Sequence, residues 1–404
     1  MTNPSPASGR PAPYSGPAIL SYGFRPFFFL AGLFGAVAVP AWIYMFYSGV
    51  EPGGTLSARD WHMHEMIFGY SGAVLAGFLF TAIPNWTGRM PRTGAPLALL
   101  VTLWLLGRLA MAGAGGLGAV ALMGADLAFP LALLGMVAVE IIAGRNWRNL
   151  KILLPLGIFL LANLVFHLEQ ITGAPTDAGL RLGLGVLVFL ITLIGGRIVP
   201  SFTRNWLNKQ APGGAMPAPV GRFDALCLLL TAVALLLWAL VPGLYWSGVA
   251  LLVAATLNLL RLGRWQGARC AASPLLMMLH LSFLFIPAGL TALGLAVLFP
   301  ELTGVATGVH LLGIGAIGGM TTAVMMRAAM GHTGRALVAG RVLVAAFALI
   351  VLSAVLRAFA PVSSQEAMTL AAAAWALGYL LFTLRLAPWL WLPKAGRRSA
   401  GKTH

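Results

Sequence analysis

A chain of 404 residues has the length of two or three soluble domains, yet 59% of it is hydrophobic and only 9% charged, against about a quarter charged in an average soluble domain. With a mean hydropathy of +0.88, its apolar surface exceeds what one water-facing core can hide, so lipid must cover the rest. The net charge of +16, from 26 Lys and Arg against 10 Asp and Glu, includes no basic block interleaved with aromatics; this argues against a nucleic-acid partner and makes the position of the bases relative to the apolar runs the informative quantity.

In chain order, residues 1–17 are rich in Pro, Ser and Gly and lack an apolar centre, which predicts a disordered tail rather than a cleaved signal. Windows of about 20 residues then predict twelve spans near 25–47, 63–84, 95–114, 117–142, 151–172, 180–200, 223–241, 245–262, 273–299, 303–330, 338–360 and 366–392. The longest gap, 201–222, leaves no room for an extramembrane domain, and 394–404 forms a basic C-terminal tail. The expectation is an all-α, polytopic membrane protein whose transmembrane domain covers 18–393. Cys227 and Cys270 are far apart and in no CxxC motif, so both are read as packing residues.

Basic residues favour the untranslocated side of a membrane. Alternate connections carry Arg89 and Arg92; Arg145, Arg148 and Lys151; Arg197, Arg204, Lys209 and Arg222; Arg261, Arg264 and Arg269; and Arg327, Arg335 and Arg341, while the termini add Arg10, Arg25, Arg385, Lys394, Arg397, Arg398 and Lys402. The opposite connections hold only Arg59, Arg181 and Arg357, and Arg108 lies inside the third span. Both termini are therefore expected in the cytoplasm, with a multi-pass topology.

Ionisable groups within spans are costly and usually functional. The second span opens with WHMHEM, placing His62, His64 and Glu65 near its outer end; the fifth carries FHLEQ, bringing His167 and Glu169 to the same layer; His310 lies about two turns into the tenth from that side. His280 in the ninth span sits deeper, and His332 falls at the inner end of the tenth. Imidazoles bind metals, and a pair from two helices can hold haem iron, so four histidines in one stratum weigh against the simpler reading of each as an interhelical hydrogen-bonding group. His62 and His64 are about 200° apart around a helix and do not easily serve one metal. Glu65, within a turn of His62, suits a carboxylate accepting the imidazole N–H, and Glu169 is placed for the same role in the outer layer. At the inner face Arg89, Arg197, Arg204, Arg327 and His332 could clamp an anion or haem propionates, with Arg197, after Gly195 and Gly196, expected to be buried; the competing reading is positive-inside anchoring. Without a CxxCH site any haem is noncovalent.

The motifs GFRPFF (24–29), WHMHEMIFGYSGAVLAGF (61–78), NWTGR (85–89), NWRNLK (146–151), GGRIVPSFTRNWL (195–207) and GHTGR (331–335) together resemble the NnrS family over nearly the whole chain. That resemblance implies a haem- and copper-containing bacterial membrane protein associated with nitric oxide, denitrification or nitrosative stress. A fainter resemblance, carried by the twelve spans and by the H-x-x-x-M-I-F pattern from His62 to Phe68, is to the large subunit of haem–copper oxidases and nitric oxide reductases. It implies His62 and His310 as the axial pair of a low-spin haem near the outer face, within a bundle of that type. The chain departs from the pattern: the sixth span has no histidine, the seventh no His-His pair, and Gly308 stands where a second haem ligand would be. A second metal such as copper, or a second haem, is then expected at His64 and His167, with His280 the next choice.

Asp126, Glu140 and Glu169 are the only deep acids, a thin set for a proton pump, so nitric oxide or nitrosyl-metal chemistry without proton translocation is expected. The same ligands serve a haem-dependent redox protein with an external electron donor and a nonenzymatic haem or copper sensor or store. The competing class is a twelve-helix secondary transporter, which the longer 201–222 connection suits, although no internal repeat of the histidines supports it.

Overall fold

The computed structural model describes residues 14–52, 56–210, 212–360 and 364–394. Most of both expected tails, with Arg10, Arg397, Arg398, Lys402 and His404, lies outside them. The described residues form no strand and twelve principal helices: α1 (Phe24–Ser48), α2 (Ala58–Thr87), α3 (Ala95–Met111), α4 (Ala119–Ala143), α5 (Leu153–Thr172), α6 (Asp177–Gln210), α7 (Arg222–Leu240), α8 (Tyr245–Gly263), α9 (Pro274–Leu298), α10 (Val305–His332), α11 (Gly340–Phe359) and α12 (Gln365–Trp391). Eleven are long and apolar enough to cross a membrane. The exception is α3, which stops at Met111, short of the expected 114, and its 17 residues reach about 25 Å. Gly113, Gly115 and Gly116, all at positive φ, turn the chain there.

Local chemistry sets the ends. The Ser57 hydroxyl accepts from the Asp60 N–H at the start of α2, and α1, α2 and α5 end on the left-handed glycines Gly49, Gly88 and Gly173, each freeing the chain to turn back. Neighbours in sequence pack side by side, and α1 closes the bundle against α12. Two helices differ from the rest: 78% of the apolar window of α2 and 67% of that of α10 is buried inside the protein, against 39–61% for the other spanning helices. They form the centre, and α2 is packed by α1, α3, α4 and α6. Both are interrupted by a wide π-helical segment, Glu65–Tyr70 in α2 and Leu311–Gly318 in α10, and each segment begins directly after a histidine.

The glycines of α10 serve close packing. A Cβ on Gly308 would lie 2.6 Å from Leu293 of α9, and one on Gly318 would lie 2.7 Å from Trp375 of α12. The tightest approach to backbone is between α5 and α6, where a Cβ on Gly179 would stand 2.5 Å from the Phe166 nitrogen. Because backbone cannot step aside, Gly179→Ala is expected to force the helices apart at a cost of about 1–3 kcal/mol. Thermal unfolding in detergent checks this against Gly185→Ala, whose Cβ would meet nothing closer than 3.7 Å.

Candidate functional site

The opening of α2 presents its two histidines to different neighbours. The ring of His62 stacks on Trp42 of α1, with centroids 4.2 Å apart and planes inclined by 23°. It interacts electrostatically with His310 of α10, and Arg357 of α11 interacts with both. His310 donates from Nδ1 to the Ala306 carbonyl, at 2.6 Å; this fixes the tautomer and leaves the Nε2 lone pair available. Around this pair polar atoms are buried without a partner: His62 Nδ1, Trp42 Nε1, Trp61 Nε1 and Arg357 Nε. Buried polar groups are normally satisfied, so four orphans in one neighbourhood mark a site built for something else.

About 200° around the helix, His64 enters a second cluster. Its Nδ1 faces Glu65 Oε1 at 2.9 Å, and its Nε2 faces Asp126 Oδ2 of α4 at 3.1 Å and Asn163 Oδ1 of α5 at 2.9 Å. His167 Nε2 approaches the same Asp126 oxygen at 3.1 Å, and the Asn163 amide donates to it at 2.7 Å. Arg108 of α3 donates to Glu65 at 2.5 Å and to Asp126. His64 and Glu65 are fully buried and Asp126 is 1% exposed. Nitrogen and oxygen atoms of His64, His167 and Asp126 lie within 4.8 Å of one another, close enough to share a metal ion.

The π segment makes room for this cluster. A Cβ on Gly69 would come 2.5 Å from Arg108 Nη1, and the Gly69 carbonyl, displaced from the regular ladder, accepts the Trp104 indole N–H at 2.9 Å. π turns of this kind recur at functional sites. Below it, Tyr70 at the end of the segment shares hydrogen bonds of 2.6 Å with Thr321 and with Tyr379. Beside them an apolar cleft of about 70 Å³ runs between α1, α2, α6 and α10, lined by Phe28, Leu75, Ile194 and Met320, with Ser71 and Thr321 the polar groups at its wall. Lined this way, it stays dry and suits a small apolar guest.

The arrangement corrects several expectations. Glu65 serves His64 and Arg108 rather than His62. Glu169 accepts from the Ala178 and Gly179 N–H groups at 3.2 and 3.1 Å, capping α6 instead of backing His167. His280 faces Thr203 at 2.9 Å and Trp265, away from His64 and His167. The inner-face residues do not converge on an anion: Arg89 and Arg92 pair with Glu140, Arg204 donates to the Pro217 carbonyl at 2.7 Å, Arg327 lies over Phe202 at 3.9 Å, and His332 packs against Tyr22 and Phe24. Arg197 is exposed; the buried guanidinium beside Gly196 belongs to Arg261, which pairs with Asp224 at 2.7 Å. The site members that spacing did not reveal are Trp42, Arg108, Asp126, Asn163 and Arg357. Of these, Arg108, a base well inside a predicted span, and Asp126, a deep acid, carried a signal.

A family model described as NnrS protein matches residues 18–394, nearly the whole chain. No curated protein matches it.

Proposed function

Since the chain belongs to the NnrS family, membrane proteins linked to the nitric oxide response, we propose that it is a bacterial inner-membrane haem protein acting in nitric oxide metabolism or nitrosative-stress protection. His62 and His310 hold a b-type haem near the outer face, and His64, His167 and Asp126 hold a second metal, copper. The observation that carries this reading is the set of unpartnered buried atoms around His62, together with the His310 tautomer whose free nitrogen is the one a metal takes. Two imidazoles and a carboxylate fit copper by donor type. Both ring nitrogens of His64 face oxygen acceptors, so a metal held there would take the place of a proton.

When bound, haem iron supplies the coordination chemistry by which nitric oxide is recognised. The chain's own residues bind and orient: Trp42 packs the His62 ring, the Ala306 carbonyl holds the His310 proton away from the ligating nitrogen, and Arg108 and Glu65 fix His64. The apolar cleft admits an uncharged diatomic directly from lipid. Asp126 and Glu140 are each clamped by arginine, which supports chemistry without proton translocation. Protein purified from cells supplied with haem and copper is expected to show a Soret band and bound copper; preparations with neither overturn the reading and leave the transporter alternative.

A further inference from the structure

Arg357 is a half-buried base near the end of α11. Among the described residues it makes no hydrogen bond, ion pair or contact over an aromatic ring, and its Nε is buried without a partner. Other buried arginines in the bundle are satisfied: Arg25 donates to the Leu390 and Leu392 carbonyls at 2.9 and 2.7 Å, Arg108 pairs with Glu65 and Asp126, and Arg261 pairs with Asp224. All ten acidic side chains lie among the described residues, and none pairs with Arg357. The group it lacks therefore cannot be a carboxylate side chain of this protein.

Its neighbours point the same way. His62 and His310 both interact with it electrostatically, and the Trp42 indole N–H, on the ring stacked against His62, is buried and unpartnered as well. A guanidinium and an indole N–H are donors only. Two buried donors, Arg357 Nε and the Trp42 indole N–H, lack an acceptor, which is costly unless a group from outside the chain completes them, and the guanidinium fork matches a carboxylate. We propose that Arg357, joined by Trp42, binds a carboxylate beside the His62–His310 pair. Two sources carry that chemistry: a haem propionate, in which case the inference rests on the haem reading above, or a free carboxylate entering from the outer solution. The inner-face arginines Arg89, Arg204 and Arg327, each already engaged by protein, are not needed for it.

The test compares purified wild-type protein with Arg357→Gln and Arg357→Lys. If a propionate is the ligand, Arg357→Gln shifts the propionate bending bands in resonance Raman spectra, lowers the haem midpoint potential and releases haem to apomyoglobin about tenfold faster, as expected when a charge-assisted hydrogen bond is lost; Arg357→Lys falls between the two. If a free carboxylate is the ligand, acetate raises the melting temperature of wild-type protein and not of Arg357→Gln, and this arm stands even should the preparation contain no haem. Haem bound in Arg357→Gln with unchanged Raman bands, potential and release, together with no acetate effect on wild type, overturns the inference while leaving the haem reading intact. Arg357→Lys keeps a charge at the position and serves where the Gln variant does not assemble.

Discussion

Arg108→Met is expected to cost about 3–5 kcal/mol, the penalty of leaving buried charge without its counter-ion, and to give poor yields of folded protein. Glu65 and Asp126 both rest on this one guanidinium, and neither is reached by water. Removing the two carboxylates as well, in Arg108→Met/Glu65→Gln/Asp126→Asn, is expected to recover most of the loss, because an apolar or neutral replacement of a whole buried ion network is often close to neutral. Thermal unfolding of the four proteins, with Glu65→Gln/Asp126→Asn as the fourth, checks the pattern. An Arg108→Met protein as stable as wild type would refute the idea that the network is held by its charges.

The second large effect is spectroscopic. Either His62→Ala or His310→Ala is expected to abolish the low-spin haem signal, whereas His64→Ala leaves it and removes the second metal. The separation follows from where the rings lie: His62 is stacked on α1 and interacts with α10, while His64 meets α4 and α5. Glu65→Gln, which keeps the shape and removes the charge, is expected to weaken second-metal binding about 10–100-fold through His64 and to spare the haem. Optical spectra and metal analysis of the purified variants decide it. Loss of the haem signal in His64→Ala, with His62→Ala silent, would exchange the two assignments.

Much of this was legible in the sequence because membrane helices obey a coarse rule. Twenty apolar residues are needed to cross, and their number and placement matched the twelve helices, except where three glycines cut α3 short. The nearness of His64 to His167, with ring centroids 5.5 Å apart, is what helix length and direction lead one to expect. What spacing could not give was azimuth. Gly195 and Gly196 suggested a buried Arg197, but these glycines mark the packed face that admits Arg261, and the next residue is turned about 100° away from it. Glu65 was assigned to His62 because residues three apart share a helix face; the pull of Arg108 from α3 sets its actual direction. Asp126 and Asn163 could not be placed beside His64 at all, since that requires knowing how α4 and α5 rotate against α2.

The wide turns of α2 and α10 have a mechanical consequence. Each π segment holds about one residue more than a regular helix of the same rise, so the turns before it are out of phase with those after it. Winding the same residues Glu65–Tyr70 as regular helix would swing His62 and His64 by about 100° relative to Tyr70, with every side chain retained. Helix α2 thus behaves as a keyed shaft, in which the width of one turn rather than residue identity decides which imidazole meets Trp42 and which meets Asp126.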